Sequence, residues 1–382
     1  MKQYVIPLSL YIHFPWCVQK CPYCDFNSHA LRNQTIPEQA YIEALIGDLK
    51  QDLIWVQERP LQSIFMGGGT PSLFSGTAIK YLLDAIRQEI AWVEDIEITL
   101  EANPGTIDQA HFAAYRAAGV NRLSLGVQSL QDDKLNVLGR IHDQYAVLKA
   151  VDIARQSGFD NFNIDLMFGL PQQTTAQALD DLRQATELQP THLSWYQLTI
   201  EPNTVFYKQT PTLPEDELLW EMTQVGQSYL QQQGFMQYEV SAYSRQQPCR
   251  HNLNYWQFGD YLGLGAGAHA KVTDLQSGTI TRLVKYKQPT AYIQHAMNQQ
   301  AIVQQTIVSE KAVAFEFMLN ALRLVAPIDL ALFEQRTGMS RDVIQPILLQ
   351  AEQRELINLN GDSLVVTDLG KRFLNDLQAL FL

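Results

Sequence analysis

The sequence predicts an α/β fold: a partial (β/α)6 TIM-like barrel, followed by an α+β region and a small winged-helix-like appendage. Two observations carry this expectation. Six short apolar, β-branched runs alternate with longer stretches of helical periodicity over about the first 200 residues, the pattern of βα units and a parallel sheet. Distinctive polar or glycine-rich groups recur at or near the ends of those runs, and in such barrels the C-terminal face of the strands carries the active site.

Taken in order, the first run is Leu8 to Phe14, which leads into a cysteine-rich loop. A helix follows from about Pro37 to Gln57, with Tyr41, Leu45, Leu49 and Leu53 at helical spacing. The second run, Ser63 to Met66, ends in Gly67-Gly68-Gly69-Thr70-Pro71, and the third, Ile96 to Leu100, ends at Glu101-Ala102-Asn103-Pro104. The fourth, Arg122 to Val127, ends at Gln128-Ser129; the fifth, Asn161 to Phe168, carries Asp165; the sixth, Thr191 to Ile200, ends in Glu201-Pro202. From Glu215 the pattern changes to a long helix ending at Gln233, a β-rich stretch from Phe235 to Ser244, and an aromatic, glycine-rich segment from Cys249 to His269. The last part reads as helix, helix, a hairpin over Asn358 to Val366 turning at Gly361, and helix. Residues 1–214, 215–308 and 309–382 are therefore the expected barrel, extension and appendage.

With 382 residues, 46% of them hydrophobic, the chain can build a sizeable core. Its 28 basic against 40 acidic residues, a net charge of −12, argue against a nucleic-acid or anionic-membrane surface. The appendage's candidate second helix, Arg341 to Glu352, is not notably basic either. The N-terminus lacks a secretory pattern and no apolar run is long enough to span a bilayer. The expectation is a soluble, cytoplasmic protein whose thiols stay reduced.

Three of the four cysteines, Cys17, Cys21 and Cys24, follow the spacing C-x3-C-x2-C on the loop after the first run. Thiolates suit zinc and iron–sulfur clusters. A closed zinc site wants a fourth ligand, for which His13 or His29 is available. A four-iron cluster normally takes four cysteines, so three would leave one iron open to a small molecule. Free thiols and a disulfide framework are the remaining readings. So few cysteines in a long chain without a secretory signal speak against the disulfides.

Other residues carry chemistry at the same mouth. The triple glycine lets a backbone approach a ligand closely and aim N–H groups at a carboxylate. Glu101 can accept hydrogen bonds from hydroxyls and complement positive charge. Farther along, His251 in His-Asn-Leu-Asn-Tyr-Trp, and His269, offer imidazoles; Tyr255 and Trp256 offer aromatic faces for a flat macrocycle. A lone histidine is more often a hydrogen-bonded structural residue.

The cysteine loop resembles that of the radical S-adenosylmethionine superfamily. Its flanks, Tyr-x-His-x-Pro-x-Cys before and Cys-Pro-Tyr-Cys-Asp-Phe-Asn-Ser after, resemble one family within it: the oxygen-independent coproporphyrinogen III oxidases and their haem-chaperone relatives. The resemblance implies a barrel of the radical SAM type and a [4Fe-4S] cluster on Cys17, Cys21 and Cys24, its open iron chelated by S-adenosylmethionine. It further implies that Gly68, Gly69 and Thr70 contact the methionyl group, that Glu101 binds the ribose, and that Tyr11 and Tyr23 touch the same cofactor. Gln128, Arg140 and Asp165 match positions that hold a second S-adenosylmethionine in the oxidases. His251 falls in a segment resembling a haem-binding motif proposed for the chaperone branch, which makes it the haem candidate; Cys249 is not expected to be a cluster ligand.

Two departures favour the chaperone branch. The oxidases carry a further cysteine two positions after the third, where this chain has Phe26, and an N-terminal extension where only sixteen residues precede Cys17. The implied function is a haem chaperone that binds haem and passes it to an acceptor protein, as a monomer or a cluster-dependent dimer, without coproporphyrinogen oxidase turnover. The alternative is the oxidase itself, decarboxylating coproporphyrinogen III in porphyrin biosynthesis.

Overall fold

The computed structural model describes residues 6–32 and 35–382. Six parallel strands, β1 (Leu8–Phe14), β2 (Leu61–Gly68), β3 (Trp92–Ala102), β4 (Arg122–Gln128), β5 (Phe162–Phe168) and β6 (His192–Gln197), lie side by side in chain order. Helices cross between them, among them Glu38–Asp52, Gly76–Glu89 and Thr175–Glu187. This is the six-unit partial barrel.

Each strand alternates in a way that sets its two faces. Leu10 and Ile12, Ile64 and Met66, Leu123 and Leu125, and Ile164 and Leu166 belong to the main apolar core. With a side-chain period of two, the intervening Ser9, Tyr11, Ser63, Phe65, Ser124, Asn163 and Asp165 turn to the opposite, inner face. The register stacks these polar positions: Ser9 stands opposite Ser63, Tyr11 opposite Phe65, Ser124 opposite Asn163 and Gly126 opposite Asp165. A polar inner face is a surface for ligands rather than a packed core.

Boundaries moved where packing overrode pattern. β2 runs two residues past the expected end, because Gly67 and Gly68 continue the ladder with His13 and Phe14. β3 starts at Trp92, since Glu94 and Asp95 are exposed residues in an extended strand. β6 is shorter than the run Thr191 to Ile200. The first helix stops at Asp52 with one further 3-10 turn, Leu53–Trp55, before Gln57 and Glu58 take left-handed φ of 50° and 62°.

The region after Glu215 extends the same sheet at both edges. β7 (Met236–Glu239) and β8 (Ala242–Ser244) add antiparallel beyond β6. β9 (Asp260–Leu264) pairs parallel with β1, and β10 (His269–Thr273), β11 (Ile280–Lys285) and β12 (Ile302–Ile307) follow antiparallel. Twelve strands thus form one sheet in the order β12, β11, β10, β9, then β1 to β6, then β8 and β7.

Two buried ion groups fasten the added strands. Asp260 accepts from Lys271 Nζ at 2.7 Å, Arg59 Nη1 at 2.7 Å and the Thr273 N–H at 2.8 Å. Lys285 Nζ donates to Asp48 at 2.5 Å and Asp52 at 2.7 Å on the first helix. The C-terminal unit packs helices Glu310–Ala321, Ala331–Thr337 and Gln345–Gln353 over a separate apolar cluster that includes Phe317, Phe333, Leu348 and Leu364. Its hairpin joins Ile357–Asn360 to Ser363–Val366, with Gly361 at φ +62° in the turn, and two short helices follow. It therefore has one more helix before the hairpin than expected, and the expected helix from Arg341 begins as a 3-10 turn and becomes α only at Gln345. No helix among the described residues is long and apolar enough to cross a membrane.

Candidate functional site

At the C-terminal ends of the strands, the cysteine loop and five strand ends enclose a cavity of about 380 Å3. Cys17, Cys21, Cys24, Tyr23, Gly68, Gly69, Thr70, Glu101, Gln128, Arg140 and Asp165 all line it. Segments more than a hundred residues apart thus meet at one mouth. Tyr11 is not among the lining residues; its hydroxyl donates to His13 Nδ1 at 2.9 Å and its ring stacks on Phe65 at 6.4 Å.

The cysteine loop is held from behind. His13 Nε2 donates to the Asn27 carbonyl at 2.9 Å, so both of its ring nitrogens are engaged. Asn27 Nδ2 donates in turn to the carbonyls of Ala266 at 2.8 Å and Lys287 at 2.9 Å. The glycine-rich segment before His269 is therefore the loop's back wall. A Cβ on Gly267 would fall 2.5 Å from Asn27, and one on Gly265 2.3 Å from the His13 carbonyl oxygen.

The N–H groups of Gly68, Gly69 and Thr70 have partners inside the protein. The Gly68 N–H donates to Glu101 Oε2 at 3.1 Å, the Gly69 N–H to the Phe14 carbonyl at 2.7 Å, and the Thr70 N–H to the Trp16 carbonyl at 2.8 Å. All three donors are spent inside the protein, tying the end of β2 to β3, to the end of β1 and to the loop. The absence of side chains is what allows this. A Cβ on Gly69 would lie 2.6 and 2.7 Å from two carbonyl oxygens, and Gly68, at φ +106°, faces the His13 ring.

Each cysteine sulfur has its own donor. Thr70 Oγ1 donates to Cys17 Sγ at 3.5 Å, Arg140 Nη1 to Cys21 Sγ at 3.5 Å, and Ser28 Oγ lies 3.7 Å from Cys24 Sγ. Three separate donors suit sulfurs that carry negative charge. Burial pushes the Cys17 and Cys24 thiols upward, so bound metal is what would hold them as thiolates. Among the described residues no three His, Cys, Asp or Glu side chains converge on a single ion position. With His13 engaged and His29 lining a different cavity, a four-ligand zinc site does not fit. A cluster, which spreads its thiolates over separate irons, does.

The carboxylates are buried in the inner face. Burial first, and the Asp165 charge second, push Glu101 up to about 8, against the Gly68 N–H that draws it down. Asp165 accepts from Ser124 Oγ at 3.0 Å and Asn163 Nδ2 at 2.8 Å, and burial raises its carboxyl too. Arg140 is not its ion-pair partner: besides Cys21 it donates to the Gly126 carbonyl at 2.6 Å, and its buried Nε has no partner. Gln128 adopts a left-handed φ of 75°, rare for a non-glycine residue and found where function holds a backbone. Ser124, Met167, Tyr196 and Glu201 also line the cavity and were not singled out from the sequence. For Ser124 and Tyr196 the available signal was the alternation of polar residues along the strands.

His251 sits elsewhere, toward the opposite end of the strands. Helix Arg250–Trp256 lies under the inner face, with Glu97 of β3 accepting from the Arg250 N–H at 3.0 Å and from Cys249 Sγ at 3.2 Å. The His251 ring stacks on Phe65 at 5.0 Å; its Nδ1 meets Ser63 Oγ at 3.0 Å and its Nε2 meets Tyr255 Oη at 3.1 Å. It is 2% exposed, and burial, then the Arg122 charge, push it down to about 3. Cys249 is buried beside it, remote from the cysteine loop as expected. His269, by contrast, is exposed.

A partial barrel with this loop, glycine run and buried glutamate defines a radical S-adenosylmethionine protein. In agreement, the sequence profile described as "Radical SAM superfamily" matches residues 11–185, and that described as "HemN C-terminal domain" matches residues 308–373. The chain is 50% identical over 381 residues to a protein named Heme chaperone HemW in Haemophilus influenzae, with 98% of each chain covered. It is 48% identical over 377 residues to the protein of that name in Escherichia coli, again with 98% of each covered. Among solved structures, coproporphyrinogen III oxidase (HemN) from Escherichia coli superposes with a TM-score of 0.82 at 23% identity, over 98% of this chain and 90% of that one, which shows the shared fold. The chain belongs to the HemW family.

Proposed function

We propose that this protein is a haem chaperone, binding haem and transferring it to an acceptor protein, and that it carries a [4Fe-4S] cluster on Cys17, Cys21 and Cys24. The observation that supports it most is the similarity to curated haem chaperones along the whole chain, at 48–50% identity. Phe26 supports it locally: it is 60% exposed at the edge of the cavity, where a fourth cysteine would mark an oxidase.

The residues divide the work. Cys17, Cys21 and Cys24 would hold the cluster, and Thr70, Arg140 and Ser28 would hydrogen-bond its sulfurs. Gly68, Gly69, Thr70, Glu101 and Tyr23, which line the cavity, and Tyr11, which does not, are assigned to S-adenosylmethionine, with Glu101 assigned to its ribose and positive charge. A cluster held there would supply one-electron reducing chemistry to a bound sulfonium. Gln128, Arg140 and Asp165 line the same cavity and are assigned to a second copy of that cofactor. We assign the chemistry to residues 1–214, the back wall and haem segment to 215–308, and a small winged-helix-like unit to 309–382. The compartment proposed is the cytoplasm.

For the haem iron we keep His251, on a condition that its surroundings set. A lowered pKa keeps the imidazole neutral and free of a competing proton. Its nitrogens, however, must exchange Ser63 and Tyr255 for iron, which requires helix Arg250–Trp256 to leave the floor of the inner face. The test against the oxidase reading is turnover. Cluster-loaded protein with S-adenosylmethionine, reductant and coproporphyrinogen III is expected to release no carbon dioxide; stoichiometric decarboxylation would overturn the chaperone assignment.

A further inference from the structure

The His251 ring is held in the floor of the inner face by two neighbouring positions of one strand. Of the three side chains it meets, Tyr255 lies on the same helix, Arg250–Trp256, and travels with it. The other two, Ser63 and Phe65, are successive inward positions of β2: Ser63 Oγ meets Nδ1 at 3.0 Å, and the Phe65 ring stacks on the imidazole at 5.0 Å. The start of the helix rests on β3, where Glu97 also accepts from the His251 N–H at 3.2 Å.

Phe65 reaches the residues assigned to S-adenosylmethionine as well. Tyr11 stacks on it with 23° between the ring planes, and the same tyrosine bonds His13, whose other nitrogen holds the Asn27 carbonyl of the cysteine loop. A Cβ on Gly67 would lie 2.9 Å from the Phe65 ring and 3.0 Å from the Glu101 carboxyl, so ring and carboxyl stand on either side of that glycine with no side chain between them. Phe65 is half-buried and does not itself line the cavity. One apolar ring thus abuts Tyr11 and Glu101 in one direction and the haem candidate in the other.

We propose, on the reading that His251 takes the haem iron, that Phe65 is a positioning residue coupling the two sites in opposition, so that S-adenosylmethionine seats helix Arg250–Trp256 and drives haem off His251. The two ligands make opposite demands on the ring. Haem requires the imidazole to leave the Phe65 face; S-adenosylmethionine, by ordering Tyr11 and Glu101, fixes Phe65 against the imidazole and favours the docked helix. A ligand that prefers one state of a two-state element shifts the element toward it, and the coupling acts equally in both directions. S-adenosylmethionine is then the signal for haem release to the acceptor.

The test is a pair of affinities on anaerobic, cluster-loaded protein without reductant, which leaves the sulfonium intact. Haem is titrated by absorbance with and without saturating S-adenosylmethionine, and S-adenosylmethionine by equilibrium dialysis with and without haem. Each ligand is expected to weaken the other by the same factor, at least about 5-fold. In Phe65→Leu each ligand alone is expected to bind, and the factor to fall to about 1. In Ser63→Ala, which frees the imidazole without touching the ring contacts, haem is expected to bind about 5-fold more tightly with the factor retained. Affinities in the wild type that ignore the other ligand would overturn the coupling. An unchanged factor in Phe65→Leu, or its loss in Ser63→Ala, would overturn the assignment to Phe65. A wild type that binds no haem, or haem binding unchanged in His251→Ala, would overturn the reading of His251 on which the coupling stands.

Discussion

Replacing Glu101 with glutamine keeps the shape of the side chain and an acceptor for the Gly68 N–H, while removing a titrating group from the cavity. The carboxyl ordinarily titrates near 4.5 and is raised to about 8 by burial and the Asp165 charge. At pH 7 the unfolded chain has released this proton and the folded chain retains it. Stability contributed by the protonated group is complete below 4.5 and declines as pH rises toward 8. At about 1.4 kcal/mol per pH unit, the penalty relative to glutamine is about 3 kcal/mol at pH 7. Urea unfolding of cluster-free protein at pH 5 and pH 8 measures it. The advantage of Glu101→Gln over the wild type is expected to grow by about 3–4 kcal/mol between those two values. Above pH 8, where the folded carboxyl is ionised, the same variant is expected to bind S-adenosylmethionine about 10- to 100-fold more weakly than the wild type, having lost a charge-assisted acceptor. Parallel pH dependence in the two proteins would refute the reasoning, because it would mean that the Glu101 carboxylate is already compensated in the fold.

Three further perturbations separate the parts of the site. Gly69→Ala forces a methyl group against the Phe14 and Trp16 carbonyls, so cluster loading, followed by iron and sulfide content, is expected to fall while the far-ultraviolet spectrum of the fold persists. Lys285→Met leaves Asp48 and Asp52 buried without their cation and is expected to cost about 3–5 kcal/mol in chemical denaturation. His251→Ala removes a stacked ring and two hydrogen-bonding nitrogens; a loss of about 2–4 kcal/mol is expected, with cluster content unchanged and the haem spectrum abolished.

What the sequence made legible was local. The cysteine spacing, the glycine run and the strand-end carboxylate are each read within a few consecutive residues, and the structure gathers them at one cavity. Their roles were less legible. That Gly69 and Thr70 spend their N–H groups on Phe14 and Trp16 depends on β2 lying beside β1, a contact about fifty residues apart that no local pattern encodes. His251 stood out as a motif, but its burial is set by Ser63 and Phe65, on a strand nearly two hundred residues earlier. Likewise nothing near Asp260 signals that β9 pairs parallel with Leu8–Phe14, so the strands after Glu215 were not expected to extend the barrel sheet. The polar inner face was written plainly in the strands, in Ser9, Tyr11, Ser63, Asn163 and Asp165, as a period of two.

The claim at the centre is that a radical SAM scaffold here serves haem delivery. An anaerobic absorbance titration of the cluster-loaded protein with haem, followed by mixing with a haem-free acceptor protein, tests it most directly. A saturable haem spectrum at one haem per chain, passing to the acceptor while the cluster absorbance stays constant, is the predicted result. Haem that fails to saturate, or that binds and is not released to any acceptor, would contradict it.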